Sequence, residues 1–289
     1  MEEMKIKSPA KINLGLRILG KRKDGFHEIE TVMQMIDLCD DIVISKKDKG
    51  ITVFCNDSSL CGEKNLAYRA AEMIKEKSRR IDGVDITIKK NIPVGAGLGG
   101  GSSNAASVLL GLNKIWELGY SQEELMEMAG VLGSDVPFFI DGPAAIAKGR
   151  GEILHSLEKP EKMYLLLVIP PVAISTKWAY KNINLKLTNR GNEGNLNQFN
   201  LSKIKTDIQR FLLNDLEEVV TKRLPEISEI KEKLISLGST GASMSGSGSS
   251  VYGIFLKRDC CLKAYETMKK ERWKVTVTET ITDLGEISL

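Results

Sequence analysis

The sequence predicts an α+β protein in two parts. The first half is rich in strands that alternate apolar and polar residues, the second half alternates strands with helices, and a glycine-rich turn lies where one strand gives way to a helix. The 289 residues suffice for two ordinary cores, and Lys159-Pro160 marks the expected division into 1–158 and 159–289.

The elements follow in order. Pro9-Ala10-Lys11-Ile12-Asn13 opens a strand in which Ile12, Leu14, Leu16 and Ile18 alternate with Asn13, Gly15 and Arg17. A turn at Lys23-Asp24-Gly25 leads through Phe26-His27 into a second alternating run, Ile29, Thr31, Met33 and Met35. Asp41 to Ser45 and Ile51 to Cys55 read as a hairpin around Lys47-Asp48-Lys49-Gly50. Asn65 is placed to cap a helix with Leu66, Ala70 and Ile74 on its apolar face. Val84, Ile86 and Ile88 mark a strand; Ala105, Ala106, Val108, Leu109, Leu112, Ile115 and Trp116 recur at helical spacing, and Gly119 closes that helix. Ser121-Gln122-Glu123-Glu124 is a capping box, and its helix runs into Gly133-Ser134-Asp135-Val136-Pro137.

Ala144 to Ala147 and Ile153 to Leu157 are short strands around Gly149-Arg150-Gly151. Tyr164 to Ile169 is a buried strand ended by Pro170-Pro171, and Ser175 or Thr176 caps a short helix reaching Tyr180. Residues 182–200 are polar and read as a surface loop. Helices are expected over 201–213, 216–222 and 227–237, then a second glycine-rich stretch at 241–250, a strand from Val251 to Leu256, a helix, and a last strand from Trp273 to Thr280.

Composition excludes several function classes. A net charge of +3, from 41 basic and 38 acidic residues, lacks the basic stripe of a nucleic-acid binder. No apolar run approaches a membrane span, and the acidic N-terminus shows no signal-peptide pattern. The five cysteines are odd in number and show no metal-type spacing, as expected of reduced thiols in the cytoplasm. The expected partner is a small molecule, with no nucleic acid and no membrane, and the chain is expected as a monomer or homodimer.

The chemistry concentrates in Asn91 to Asn104, Asn-Ile-Pro-Val-Gly-Ala-Gly-Leu-Gly-Gly-Gly-Ser-Ser-Asn. Between a strand and a helix N-terminus, missing Cβ atoms let backbone N–H groups converge on an anion, and the helix end adds partial positive charge. Gly95-x-Gly97-x-x-Gly100 matches the dinucleotide fingerprint in form, but that fingerprint wants an acidic residue after the next strand, whereas Glu117 falls at the end of the helix. No Gly-Lys-Ser/Thr follows, so it is not a P-loop. The stretch reads as a phosphate cradle, with Ser102 and Ser103 as hydroxyls for phosphate or a metal.

Taken alone, Lys11 reads as a strand lysine reaching for water and Asp135 as a turn or cap aspartate. His27 and His155 are the two histidines, and His155 reads as solvated. There is no Gly-x-Ser-x-Gly elbow and no His-Cys cluster, which speaks against serine-hydrolase and zinc chemistry. The second glycine stretch is either a strand-to-helix connector or a site of close backbone approach to substrate.

Three motifs then carry a resemblance. Pro-Ala-Lys-Ile-Asn at 9–13, Pro-Val-Gly-Ala-Gly-Leu-Gly-Gly-Gly-Ser-Ser-Asn-Ala-Ala at 93–106 and Ser-Gly-Ser-Gly at 245–248 resemble the signatures of the small-molecule kinase superfamily of galactokinase, homoserine kinase, mevalonate kinase and phosphomevalonate kinase. Within it, Asp-Gly-Phe-His at 24–27, Gly-Ser-Asp-Val-Pro-Phe-Phe at 133–139 and Asn-Asp-Leu-Glu at 214–217 resemble the 4-diphosphocytidyl-2-C-methyl-D-erythritol kinase family of the non-mevalonate isoprenoid pathway. The resemblance runs from Lys5 to the last strand. It implies a two-domain small-molecule kinase fold, with an N-terminal ATP-binding α+β domain and a C-terminal ferredoxin-like α/β sandwich. It also reverses the plain readings of Lys11 and Asp135.

The resemblance implies the following roles. ATP is held by Pro93, Val94, Gly95, Ala96, Gly97, Leu98, Gly99, Gly100, Gly101, Ser102 and Ser103, with Asn65 and Asn104 seating the nucleotide and Ser102 or Ser103 near magnesium. Asp135 is the general base on the acceptor's 2-hydroxyl. Lys11 keeps Asp135 ionised and offsets charge on the phosphoryl group. Phe26 and Tyr180 stack on cytosine and His27 bonds the base. Asn13, Thr176, Gly246 and Gly248 border the substrate. Phe26 stands where the family often has tyrosine, and Ser175-Thr176 where Pro-Thr is expected. The alternatives are another kinase of the superfamily acting on homoserine, mevalonate or a sugar, a nucleic-acid-binding module, and a regulator that has lost catalysis.

Overall fold

The computed structural model describes residues 3–157, 162–185, 196, 208–209 and 211–286. The expected boundary at 158/159, most of the 182–200 loop and most of the 201–213 helix lie outside the described residues.

Two long strands organise the first sheet. β1 (Glu3–Lys21) and β2 (His27–Lys47) pair antiparallel along their whole length, from Glu3 opposite Ser45 to Lys21 opposite His27. They are longer than the alternation alone suggests, because both faces are covered and polar residues such as Ser8, Gln34 and Asp40 are buried along them. On the other edge of β2, β4 (Gly83–Lys89) pairs with residues 41–47 and β5 (Ala144–Gly149) with residues 29–34, so the two share that edge end to end. β6 (Ile153–Ser156) pairs with β5, and β3 (Ile51–Cys55) lies outside β4.

The expected hairpin between Asp41–Ser45 and Ile51–Cys55 is therefore wrong. β3 pairs with β4 in parallel, and β4 inserts between β3 and β2. The physical reason lies at Gly83: a Cβ there would overlap the backbone of Lys49 and Gly50, and the Val84 amide donates to the Gly50 carbonyl at 2.9 Å. The 47–50 turn thus closes on the incoming strand rather than folding β3 back on β2.

Four helices cover one face. α1 (Leu66–Ser78) begins at Asn65, whose side chain accepts from the Ala67 amide as expected. α2 (Gly100–Ile115) starts earlier than its apolar periodicity implies, so Gly100 to Asn104 form its first turn rather than a loop. α3 (Gln122–Leu132) has the expected capping box, with both reciprocal bonds between Ser121 and Glu124 present. α4 (Phe138–Asp141) is a single turn carrying the buried Phe138 and Phe139. Their apolar faces meet Ile42, Ile44, Val84 and Ile86 in one core.

The second sheet is antiparallel, formed by β7 (Tyr164–Ile169), β8 (Gly241–Met244), β9 (Val251–Phe255) and β10 (Lys274–Glu279) in the order β10-β7-β9-β8. Helices α5 (Thr176–Asn182), α6 (Glu217–Arg223) and α7 (Glu226–Ser236) fall between β7 and β8, and α8 (Arg258–Met268) between β9 and β10. This order and connectivity are the ferredoxin-like arrangement expected from the sequence. Residues 241–244 of the second glycine stretch are β8 itself, and the rest of it turns back into the antiparallel β9 rather than into a helix.

β7 shows why the sheets stack. Leu165, Leu167 and Ile169 point into a core shared with Ala10, Ile12 and Leu14 of β1, while Leu166 and Val168 point to the helices of the second part. The layers run from helices α1–α4 through the first sheet and the second sheet to helices α6–α8.

Close packing at Gly111 makes one test of this arrangement. A Cβ there would lie 2.6 Å from the Cδ1 atoms of Ile6 and Ile44. Gly111→Val is expected to destabilise the fold by about 1–3 kcal/mol through overpacking. Urea unfolding checks it, and an unchanged midpoint would refute this packing of α2.

Candidate active site

A single cavity of about 1200 Å³ runs from Asn65 and Lys90 past Lys11 and Asp135 to Phe26, His27 and Tyr180. It exceeds the usual ~300–1,000 Å³ of a single-ligand pocket.

Local geometry shapes the turn read as a phosphate cradle. Residues 93–99 make a turn with positive φ at Gly95, Gly97 and Gly99, and Gly99 is the N-cap of α2 at φ 70°. Ser103 N–H already donates to the Gly99 carbonyl at 2.9 Å, which leaves the amides of Gly100, Gly101 and Ser102 as the helix's orphan donors. A side chain at Gly99 would crowd Lys11 and Phe139, with its Cβ 3.0 Å from Lys11 Cγ and from Phe139 Cζ. Glycine therefore lets the helix N-terminus approach the lysine. Lys11's own amide donates to the Leu98 carbonyl at 2.9 Å, which fixes strand and cradle in register.

Lys11 and Asn13 lie two apart on β1 and so share a side, opposite Ile12 and Leu14 in the core between the sheets. Lys11 is 4 % exposed, so it is not a strand lysine reaching for water. Its Nζ donates to Asn13 Oδ1 at 2.7 Å and lies 3.3 Å from Asp135 Oδ2. Asn13 Nδ2 donates in turn to Thr31 Oγ1 at 2.8 Å. Asp135 sits in the turn between α3 and α4, where the buried Val136 and Phe138 anchor the backbone and the carboxylate faces the cavity.

The other expected residues divide. Asn65, Pro93 to Ser102, Asn104, Asn13, Phe26, His27, Thr176, Tyr180 and Gly246 all line the cavity. Ser103 does not: it is fully buried, and its hydroxyl bonds Ser8 Oγ at 2.7 Å. Of the two serines, Ser102 is the one that presents to the cavity. Gly248 does not line it either; at φ 80° it packs on Met244 and Val220 and serves the turn. The Asn65 side chain is engaged by Ala67 N–H and the Leu60 carbonyl, so it contributes mainly by capping α1. Thr176 Oγ1 bonds Ser247 Oγ at 2.9 Å.

Tyr180 meets His27, with ring centroids 5.3 Å apart, while the Arg150 guanidinium lies 5.0 Å from the centre of the Phe26 ring. Burial, and then the ammonium of Lys21, lower the His27 pKa, so its imidazole is neutral at neutral pH. Burial, with the Asp135 carboxylate as a smaller cause, raises that of the Tyr180 phenol.

The sequence reading missed several cavity residues. Lys90, Arg150, Lys21, Lys64, Lys177 and Lys181 line it, giving, with Lys11, seven basic side chains against the carboxylates of Asp24 and Asp135 among the described residues. Lys90 immediately precedes the glycine stretch and Arg150 stands between two glycines, and these positions were the available signals. Asp40 was also missed. It is fully buried; Oδ1 accepts from the amides of Asn91 at 2.8 Å and Ile92 at 2.9 Å, and Oδ2 accepts from Asn104 Nδ2 at 2.9 Å and from Lys90 Nζ. One carboxylate thus pins both ends of the cradle.

A second turn closes the floor. Ser245 Oγ donates to the Gly97 carbonyl at 3.0 Å, the Ser250 amide donates to the Ala96 carbonyl at 3.2 Å, and a Cβ on Gly97 would overlap the Ser245 carbonyl oxygen.

Among the described residues no cluster of three His, Cys, Asp or Glu side chains could hold a metal, and no helix is long and apolar enough to cross a membrane. All five cysteines are free thiols.

Comparison with known proteins agrees with this geometry. The family model for the GHMP kinases N terminal domain matches residues 65–143, and that for the GHMP kinases C terminal matches 193–271. The chain is 44% identical over 261 residues to the 4-diphosphocytidyl-2-C-methyl-D-erythritol kinase of Geobacter metallireducens, covering 90% of this chain and 92% of that protein. It is 46% identical over 264 residues to the enzyme of that name from Syntrophomonas wolfei, with the same coverage. A crystal structure of 4-(cytidine 5'-diphospho)-2C-methyl-D-erythritol kinase superposes with a TM-score of 0.83 at 32% identity, covering 95% of this chain and 99% of that one. Homoserine kinase from Cytophaga hutchinsonii, at 19% identity and a TM-score of 0.78, covers 98% of this chain and 96% of its own and shares the fold.

Because a side chain at Gly97 meets backbone rather than open cavity, Gly97→Ala is expected to push the two turns apart. Its affinity for a fluorescent ATP analogue should fall at least about tenfold, about 1.4 kcal/mol. A titration showing unchanged affinity would refute the contact's importance.

Proposed function

The chain belongs to the 4-diphosphocytidyl-2-C-methyl-D-erythritol kinase family of the GHMP kinases, and from that membership we propose how its residues carry the reaction. It is an ATP-dependent phosphotransferase of isoprenoid precursor synthesis. The acceptor is the 2-hydroxyl of 4-diphosphocytidyl-2-C-methyl-D-erythritol.

The observation that carries the assignment is the ion pair of Lys11 Nζ and Asp135 Oδ2, 3.3 Å apart, in the same cavity as the N-terminus of α2. The ATP triphosphate lies on the 95–99 turn, where the free amides of Gly100, Gly101 and Ser102 and the helix dipole oppose its charge. Asp135 accepts the proton of the attacking hydroxyl as that oxygen bonds the γ-phosphorus and the bond to the ADP oxygen breaks. Lys11 holds the Asp135 carboxylate by their ion pair and opposes charge on the transferring group. Such a transfer is mainly positioning and electrostatics, so few groups suffice.

Ser102, whose side faces the cavity, would hold magnesium together with the nucleotide's own phosphates, in keeping with that ion's habit of taking phosphate oxygens and few protein ligands. Bound there, it would supply positive charge to offset that of the phosphates. At the far end, Phe26 and Tyr180 offer faces to the cytosine, and the neutral His27 offers a donor and an acceptor to its edge. Asn13 and Thr176 border the methylerythritol and diphosphate. The reading places the enzyme in the cytoplasm, where its free thiols persist, as a monomer or homodimer with no nucleic-acid partner.

Asp135→Asn is expected to keep the fold and bind the ATP analogue normally while turnover falls ~10²–10⁴-fold, the range for loss of a general base. Near-normal turnover removes Asp135 from that role. Competition by free cytidine nucleotide against the acceptor supports the cytidyl assignment; indifference to it favours another alcohol of the superfamily.

A further inference from the structure

The Asn-Asp-Leu-Glu motif at 214–217 has no role in the chemistry above, and Asn214 does not line the cavity. It lies against the free edge of β1: Leu16 N–H donates to the Leu213 carbonyl at 2.7 Å, Asp215 N–H to the Leu16 carbonyl at 3.0 Å, and Ile18 N–H to Asp215 Oδ2 at 2.7 Å. From that anchorage the motif reaches the second glycine turn. Asn214 is buried, and its Nδ2 spends both hydrogens there, one on the Met244 carbonyl and one on the Gly246 carbonyl, each at 2.8 Å. Its Oδ1 accepts from the Leu216 amide at 3.0 Å. Glu217 Oε2 accepts from the Met244 amide at 3.0 Å, and its Oε1 from Lys231.

The turn so held touches both halves of the reaction. Ser245 Oγ donates to the Gly97 carbonyl and accepts from the Asn13 amide at 3.3 Å. Gly246 fits so closely between them that a Cβ would lie 3.0 Å from Asn13 Oδ1 and 3.2 Å from the Gly97 carbonyl oxygen. Asn13 Oδ1 is the acceptor of Lys11 Nζ.

We infer that Asn214 is a positioning residue for phosphoryl transfer: its amide fixes the 244–248 turn, which sets the phosphate cradle at Gly97 against the Lys11–Asn13 pair. The inference rests on the reading of the site given above. A carboxamide carries on one side chain the two donors that the turn carbonyls take and the acceptor that the Leu216 amide takes. An aspartate of the same shape would keep the acceptor and lose both donors, turning a carboxylate towards two carbonyl oxygens. Burial and those oxygens favour its protonated form, which restores one donor. An activity defect caused by lost donors therefore eases as pH falls, whereas a defect from general loosening does not.

The test is the steady-state kinetics of Asn214→Asp beside the unaltered enzyme, with ATP and the cytidyl-bearing alcohol, from about pH 8 to about pH 5.5. At the upper end kcat is expected to fall by about 10²-fold, more than either KM rises, in line with the sensitivity of transfer to small misplacements. The ratio of variant to parent kcat then recovers about tenfold towards the lower end, as one buried hydrogen bond returns. A parental kcat, or a reduced ratio that stays flat with pH, overturns the inference. Where the aspartate variant does not fold, Asn214→Ser, which keeps one donor, is measured instead: a folded variant with reduced kcat supports positioning, and one with parental kcat, or a second failure to fold, overturns it in favour of a purely structural part. No turnover by the unaltered enzyme would instead sink the functional reading itself.

Discussion

The structure depends on one close approach of backbone to backbone. Gly97, in the turn before α2, meets Ser245 and Gly246, in the turn between β8 and β9, with no side chain between them. Each turn comes from a different sheet, so the contact fixes how the two parts of the chain face each other. It also makes one continuous floor under the cavity from Lys90 and Asn65 to Phe26 and Tyr180. For a reaction that is mostly positioning, this is the constraint that matters: atoms that must meet in line are held by a contact too tight to accept a methyl group.

The electrostatics are arranged around that floor. The cavity carries a marked excess of basic side chains, although the chain as a whole is nearly neutral. The two polyanionic ligands of the proposed reaction would need that local excess, and concentrating it there leaves the remaining surface balanced. The buried charge that supports it is fully engaged. Asp40 takes four donors, two of them amides at the start of the glycine stretch, which is the condition under which burying a carboxylate is tolerable. Lys11 likewise has both Asn13 and Asp135 within reach, so its burial leaves no unpaired ammonium.

Much of this was legible in the sequence, for identifiable reasons. Alternation in Ile12 to Ile18, the cap at Asn65, the box at Ser121 and the run Tyr164 to Ile169 are local patterns with local causes, and each element stands where it was read. The β3 error was non-local: a two-strand pattern about a Lys-Asp-Lys-Gly turn looks like a hairpin unless one knows that Gly83 returns to lie on that turn. Glycine and serine in a cradle motif do not reveal which hydroxyl faces in; Ser103 turns to Ser8 because the first turn of α2 points that side at β1. Asp40 and Asn214 act through backbone groups more than thirty residues away in some cases, and nothing in their neighbours' identities signals that.

The account is tested most directly by ADP release in a coupled assay with ATP, magnesium and a panel of alcohols. Release that requires 4-diphosphocytidyl-2-C-methyl-D-erythritol, with the new phosphate on its 2-hydroxyl, is the expected result. Equal release with homoserine or mevalonate, or no dependence on the cytidyl-bearing alcohol, would contradict it.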